Sequence, residues 1–297
     1  MDNEHSSRQE AGVPKHLVGA GTRYRDAPTK SVVVGETRFA YRELGTGAGV
    51  PVIFLNHLAA NLDNWDPRVV DGIAAQHRVV TFDARGVGAT GGKTPGTIEA
   101  MAHDAVAFIR ALGFDQVDLL GLSMGGFIAQ VIALEEPTLV RRVILAGTGP
   151  AGGEGIIDVT RLTYLDTLRA LVAFKDPKEY LFFTRTANGK AQAKAFVKRL
   201  KERVTDRDKA ISVRAFLKQL TAIHAWALQD PADLSRIPHA VLVANGEEDR
   251  MVPTSNSYDL TRRIPNSTLR IYPDAGHGGI FQFHERFVTE ALDFLRP

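Results

Sequence analysis

The sequence predicts an α/β fold built on a mostly parallel, eight-stranded sheet with helices on both faces. Three observations predict it. Short apolar, β-rich runs recur along the chain, stretches of helical period alternate with them, and one run ends in Gly121-Leu122-Ser123-Met124-Gly125, a turn between a strand and a helix. Alternating strands and helices mark a parallel sheet covered on both faces, whose strands read as continuous apolar runs.

The strands are expected near 31–35, 37–42, 52–55, 78–82, 116–120, 141–146, 240–244 and 268–272, and helices at 97–112, 124–135, 255–263 and 281–295. Between the sixth and seventh strands the alternation stops. Residues 150–236 carry only helical periodicity: Tyr164, Leu165, Leu168, Leu171 and Phe174, then Ala195, Phe196, Leu200 and Val204, then Val213, Phe216, Leu217 and Leu220. This divides the chain into a flexible N-terminal extension (1–25), a core (26–149 and 237–297) and a helical insert (150–236).

A serine hydroxyl is a weak nucleophile unless it is held clear of the chain, near a base and beside backbone donors for the developing oxyanion. The turn at Ser123 supplies that placement. Glycine is required at 121 and 125 because side chains there would collide where the helix crosses neighbouring strands, and Gly126 extends the clearance. A Gly-rich loop with an incidental serine has the same letters, so the pentapeptide does not decide alone. An elbow serine also needs an imidazole and a carboxylate. The seventh strand is followed by Gly246-Glu247-Glu248-Asp249-Arg250-Met251-Val252-Pro253, and the eighth by Pro273-Asp274-Ala275-Gly276-His277-Gly278. Both stretches lie just past strand carboxyl ends, the edge where open α/β sheets place their sites.

Together with Asp83-Ala84-Arg85-Gly86-Val87-Gly88 after the fourth strand, these motifs resemble the α/β-hydrolase superfamily from about residue 30 to the C-terminus. The matching patterns are G-x-S-x-G at 121–125, G-x-x-D-x-x-x-P at 246–253, Gly-His at 276–277 and D-x-R-G-x-G at 83–88. By position, the resemblance makes Ser123 the nucleophile, Asp249 the acid and His277 the base, in that family's chain order. It also implies an oxyanion hole formed by the amides of Met124 and Leu58, and an insert that serves as a cap and sets specificity. One departure stands out. Asn56-His57-Leu58 occupies the place where many relatives carry His-Gly-x, so His57 sits where a residue without a side chain usually stands. That changes the expected loop conformation and acyl-pocket width, and makes His57 either a substrate contact or a packed histidine.

The competitors have simpler readings. Glu247 and Glu248 are expected as solvated loop charges, His284 as a surface residue of the last helix, Asp83 and Arg85 as structural, and Asp104 as a helix-surface carboxylate. Between 151 and 239 sixteen Lys and Arg stand against ten Asp and Glu, a net +6 that leaves −4 elsewhere. Lys198, Arg199, Lys201 and Arg203 are read there as a solvated helix face rather than an anion-binding surface.

The composition is that of an ordinary globular enzyme, with 44% hydrophobic and 24% charged residues. A net charge of +2 gives no reason to expect a nucleic-acid partner, and no apolar run is long enough for a membrane partner. The absence of cysteine excludes disulfides and thiol catalysis. The first 30 residues lack an apolar signal region, so a cytoplasmic protein is expected. His-x-x-x-His and Cys pairs are missing, so no metal and no cofactor are expected. Monomer and homodimer are equally compatible with the sequence.

The nucleophile sets the reaction class: attack of Ser123 on an acyl carbonyl, proton transfer through His277 and hydrolysis of an acyl-enzyme. A serine elbow argues against dehalogenase and epoxide hydrolase relatives, which place aspartate there. Phe182, Phe183, Phe216, Trp226, Met124 and Leu58 supply apolar surface for a cavity, with Trp226 either a cavity wall or core. The expected partner is a small-molecule ester or lactone with a small to medium, largely apolar acyl group. A perhydrolase or cofactor-free haloperoxidase, a carbon–carbon bond hydrolase and a ligand receptor with slow turnover would keep the same triad.

Overall fold

The computed structural model describes residues 21–296. One sheet contains β1 (Lys30–Val34), β2 (Thr37–Leu44), β3 (Val52–Leu55), β4 (Val79–Phe82), β5 (Val117–Leu122), β6 (Val140–Ala146), β7 (Ala240–Gly246) and β8 (Ser267–Tyr272). Their order is β1-β2-β4-β3-β5-β6-β7-β8, antiparallel at β1–β2 and β2–β4 and parallel from β4 onward. β1 and β2 are joined by Gly35-Glu36, with Gly35 at φ +57°, the glycine-first pattern of a tight hairpin.

Among the described residues the α-helices are α1 (Pro67–Ala74), α2 (Ile98–Ala111), α3 (Met124–Glu135), α4 (Val159–Val172), α5 (Lys178–Leu181), α6 (Ala187–Leu200), α7 (Val213–Ala227), α8 (Ser255–Arg263), α9 (Gly279–Gln282) and α10 (His284–Leu295). The expected helix at 281–295 is thus two, broken at Phe283. The central strands are apolar throughout because successive side chains enter opposite layers. Ile53 and Leu55 of β3 pack with Phe108 of α2 and Phe127 of α3. Val52 and Phe54 pack with Val69 and Ile73 of α1 and Phe287 of α10. Polar caps start the helices: Asp66 accepts from the Arg68 amide at 3.0 Å with Pro67 at the first helical position, and Ser212 accepts from the Ala215 amide at 3.2 Å.

Residues 1–20 of the expected extension lie outside the described residues. Its last part is not loose. Tyr24 is buried, its hydroxyl bonded to the Leu62 carbonyl and Thr81 Oγ1, its amide donating to Asp71 Oδ1 at 2.6 Å. The docked chain therefore begins two residues earlier than the expected boundary at 26. Burial pushes the Tyr24 phenol up to about 12, so it stays a neutral hydrogen-bonding group.

Between β6 and β7 only helices occur, as the periodicity predicts. The basic cluster on α6 is corrected in part. Arg199 grips Asp66 bidentately at 2.7–3.0 Å, and the buried Arg203 donates to the Arg25 and Ala27 carbonyls. These two fasten the insert to the core and do not form a solvated face. Trp226 of α7 is 3% exposed and stacks on Phe127 of α3, with centroids 5.3 Å apart and planes at 19°. Of the two places considered for it, this is the core one, because the ring is buried in the apolar cluster that contains Phe127 and Ile128 of α3. Among the described residues no helix is long and apolar enough to cross a membrane.

The segment between α6 and α7 also meets the loop after β4. Asp208 faces Asp83, whose carboxyl is pushed well above the usual range by burial and by the Asp208 charge. A carboxyl with a raised folded-state value binds its proton more tightly when folded, so the contribution is present at acid pH and fades as pH rises through that value. Asp208→Asn, which removes the like charge, is expected to raise the unfolding temperature more at pH 8 than at pH 5, as thermal scans at both pH values will read. Trp226→Ala is expected to lower stability by about 3–5 kcal/mol, as denaturant unfolding will read.

Candidate active site

Ser123 follows β5 directly and has φ +56° and ψ −118°, a conformation L-residues rarely adopt and one that costs about 1–3 kcal/mol. Its neighbours hold it there. The Ser123 amide donates to the Ala146 carbonyl at 2.9 Å, and its carbonyl accepts from the Gly126 amide and from Thr148 Oγ1, both at 2.8 Å. A Cβ at Gly121 would lie 2.3 Å from the Gly125 carbonyl oxygen, one at Gly125 would lie 2.0 Å from that of Leu55, and one at Gly126 would lie 2.5 Å from the Thr148 side chain. The three glycines are therefore required by contacts with α3 itself, with β3 and with the segment after β6.

Asp249 stands past β7 and His277 past β8, both buried. His277 Nδ1 and Asp249 Oδ2 are 2.8 Å apart, while Asp249 Oδ1 accepts from the amides of Met251 at 2.8 Å and Val252 at 3.0 Å. A carboxylate fixed through its other oxygen can orient an imidazole and stabilise its positive charge. The His277 ring also packs against Gly147, where an added Cβ would sit 3.3 Å from Nδ1. Since Gly147 follows the Ala146 that binds Ser123, the ring and the serine occupy neighbouring strand ends. Glu247 and Glu248 are exposed, and Asp104 forms a bidentate pair with Arg85 at 2.6–2.8 Å.

The loop after β3 approaches from the other side. Asn56 donates to the Phe82 carbonyl at 3.0 Å and accepts from Trp65 Nε1 at 2.5 Å. The Ala60 amide closes a turn onto the His57 carbonyl at 3.2 Å, with Ala59 at φ +61°. That is the third position of a type II turn, where glycine is preferred and alanine is strained by about 1–2 kcal/mol. The departure expected at His57 is thus absorbed two residues later. His57 Nδ1 lies 2.8 Å from the Leu58 carbonyl, and burial, aided by the Lys178 charge, lowers its value to about 3. It is therefore a neutral ring donating from Nδ1 into its own loop, the packed alternative of the two considered. Neither the Leu58 nor the Met124 amide has a protein acceptor among the described residues.

The insert supplies the roof. Phe182 places its ring 5.0 Å from that of His57 and 5.5 Å from that of His277, and its carbonyl accepts from the Gly278 amide at 2.8 Å. A cleft of roughly 370 Å³ between insert and core is lined by Leu181, Phe183, Arg185, Arg250, Asp249 and His277, on the side of the Asp249–His277 pair, and Ser123 is not part of its lining. No group of three or more His, Cys, Asp or Glu among the described residues is arranged to hold a metal ion. One contact escaped the sequence reading. Gln219 of α7, buried, accepts from the Ala59 amide at 2.8 Å. Its signal was a polar residue within the buried stripe Ala215, Ala222, Ile223 and Trp226.

Comparison with known proteins agrees with this architecture. A solved α/β hydrolase fold protein from Chitinophaga pinensis is 38% identical, with a TM-score of 0.87 over 92% of this chain and 99% of that one. Pimeloyl-[acyl-carrier protein] methyl ester esterase of Aliivibrio salmonicida is 27% identical over 84% of this chain and 94% of its own. A 2-hydroxy-6-oxononadienedioate/2-hydroxy-6-oxononatrienedioate hydrolase of Burkholderia vietnamiensis is 28% identical over 88% and 92%. The family profile described as the alpha/beta hydrolase fold matches residues 50–283, most of the chain, and with the sheet order and the strained turn at Ser123 already in hand, the chain belongs to the α/β hydrolase fold family.

Proposed function

We propose that the protein is a serine hydrolase that cleaves a carboxylic ester or lactone through an acyl-enzyme. The observation that carries this reading is the 2.8 Å contact between the buried Asp249 and His277 beside the left-handed Ser123. In it, Ser123 Oγ attacks the acyl carbon while His277 Nε2 takes the proton, and Asp249 holds the ring with Nδ1 protonated. The oxyanion is received by the Met124 and Leu58 amides, which have no other acceptor among the described residues. His277 returns the proton to the leaving alkoxide, then deprotonates the water that clears the acyl group. The insert acts as a cap, and its Phe182 and Phe183 favour a small to medium, largely apolar acyl group. The similarity to a methyl ester esterase supports the reaction class.

A carbon–carbon bond hydrolase is the second reading, favoured by an equally similar relative that carries such a name. A panel of p-nitrophenyl esters and lactones beside a dienoate diketone separates them, since turnover of the diketone with inert esters overturns the first reading.

Ser123→Ala is expected to keep its unfolding temperature and lose about three or more orders of magnitude in kcat, because binding and the oxyanion donors alone leave only residual catalysis. A tenth of wild-type activity in a folded variant would sink the assignment. Asp249→Asn is expected to lower kcat by about 10⁴-fold by leaving the imidazole in the wrong tautomer, with Glu247→Gln and Glu248→Gln within about two-fold of wild type; steady-state kinetics of the three variants decides which carboxylate is used.

A further inference from the structure

Helix α4 of the insert turns its large apolar side chains outward. Tyr164, Leu165, Leu168, Leu171 and Val172 lie along one helix face at three- and four-residue spacing, and all five are exposed, Leu168 by 58% and Leu171 by 71%. The opposite face, with Val159, Thr163, Asp166 and Ala170, is buried, and Leu162 packs beside it. Within that face Asp166 accepts from Arg169 at 2.7 Å and from Arg250 at 2.6 Å. A surface helix of a globular protein has the reverse arrangement, with its apolar stripe toward the core. The end of α4 departs in the same sense. Phe174 closes the helix at φ +53°, with the Lys175 amide returning to the Ala170 carbonyl at 2.9 Å, in a position that glycine usually takes. It is 97% exposed, so neither the turn nor the core calls for an aromatic side chain there.

We infer that this face is covered by α4 of a second copy, in a two-fold dimer joined insert to insert. Area, charge and spacing favour that occupant. With an aromatic side chain contributing ~150–250 Å² and an aliphatic one somewhat less, the six exposed residues present on the order of 700 Å². That is more than the ~300–600 Å² of the largest patch on a typical monomer and close to the ~800 Å² per partner of a standard interface. The face continues onto α7, where the Phe216 ring lies 6.4 Å from that of Tyr164 and Leu217 is exposed beside it. Its charge is balanced. From 158 to 179 four Lys and Arg stand against four Asp and Glu, and Arg161, Arg169 and Lys175 pair with Asp158, Asp166 and Glu179. An anionic membrane surface, which holds an amphipathic helix through an excess of cations on its polar face, meets no net charge on this stretch. A neutral polar rim around an apolar centre suits a protein partner instead. Leu165, Leu168 and Val172 have the three-then-four spacing of a helix-pairing seam, and a two-fold axis near Leu168 sets the seam against itself.

Sedimentation equilibrium of the wild type at micromolar concentration is expected to give twice the 32.4 kDa of one chain. Leu171→Glu, which has to desolvate an unpaired charge in the contact, is expected to weaken the dimer by about 100-fold or more. Should that variant not fold, Phe174→Ser at the more exposed position is expected to weaken it by about ten-fold. The chain has no cysteine, so one introduced thiol is unique. Leu168→Cys is expected to join two chains through a short bismaleimide, and Val33→Cys, also exposed but on β1 at the sheet edge, is expected to stay single. A wild type that remains monomeric up to its solubility limit overturns the inference. So does a dimer unchanged by both Leu171→Glu and Phe174→Ser, or cross-linking of Val33→Cys as efficient as that of Leu168→Cys, since either puts the contact on another face. Flotation with vesicles of phosphatidylcholine and phosphatidylglycerol is expected to leave the protein in the lower fractions. A monomer that rises with the vesicles, and ceases to do so as Leu171→Glu, assigns the face to lipid and refutes the dimer.

Discussion

The approach of α3 to the sheet at Gly125 is the constraint on which the rest depends. A methyl group there would sit 2.0 Å from the Leu55 carbonyl oxygen, so β3, β5 and the start of α3 share space that no side chain can occupy. Given that contact, the chain leaving β5 has to reverse within one residue, and Ser123 takes the reversal as a left-handed strain. The same closeness puts the amide at the start of α3 and the loop after β3 on either side of the serine. Ser123, the Met124 amide and the loop after β3 are thereby gathered by backbone packing alone, before any side chain is chosen. Strain of this size persists only where surrounding structure over-determines it, and here three strands and a helix do so.

The helical insert is joined to that core by apolar packing, with Phe196 stacked on Phe281 at 4.7 Å and Ala222, Ile223 and Trp226 clustered with core residues, and by polar contacts along the border. Arg199 on Asp66, Arg203 on the carbonyls of Arg25 and Ala27, Asn61 on Lys209 and Gln219 on Ala59 are spread along one border. Each pairs a buried or half-buried charge or amide with a defined partner. Such contacts specify position tightly, because a misplaced insert would leave buried polar groups unpaired. Trp226 on Phe127 is one of the apolar contacts, in the last turn of α7.

What was legible in the sequence follows from which forces are local. β3, β5 and β7 were readable to within about two residues because they are buried on both faces, and α3 because its residues are buried almost all round. The positions of Ser123 and Asp249 were readable because they follow the buried β5 and β7, while His277 follows the half-buried β8 and was marked by its Gly276-His277 pair. α1 was missed: Pro67, Asp71 and Gly72 disguise a short helix whose stability comes from Asp66 and from packing on α10. Arg199 and Arg203 were misjudged because a basic run on a helix has the same local pattern whether its partners are water or a distant carbonyl. Gln219 was invisible for the same reason, since nothing near it in sequence marks Ala59 as left-handed.

The docking of Tyr24 to Ala27 has a further consequence for how the molecule is made. Arg203, which binds the Arg25 and Ala27 carbonyls, lies 178 and 176 residues further along the chain. Tyr24 itself waits for Leu62 and Thr81. Contacts with such large sequence separation form late because the intervening loop must first be closed. The segment from Tyr24 to Ala27 thus completes its contacts only once the insert and the loop after β3 have both come to it.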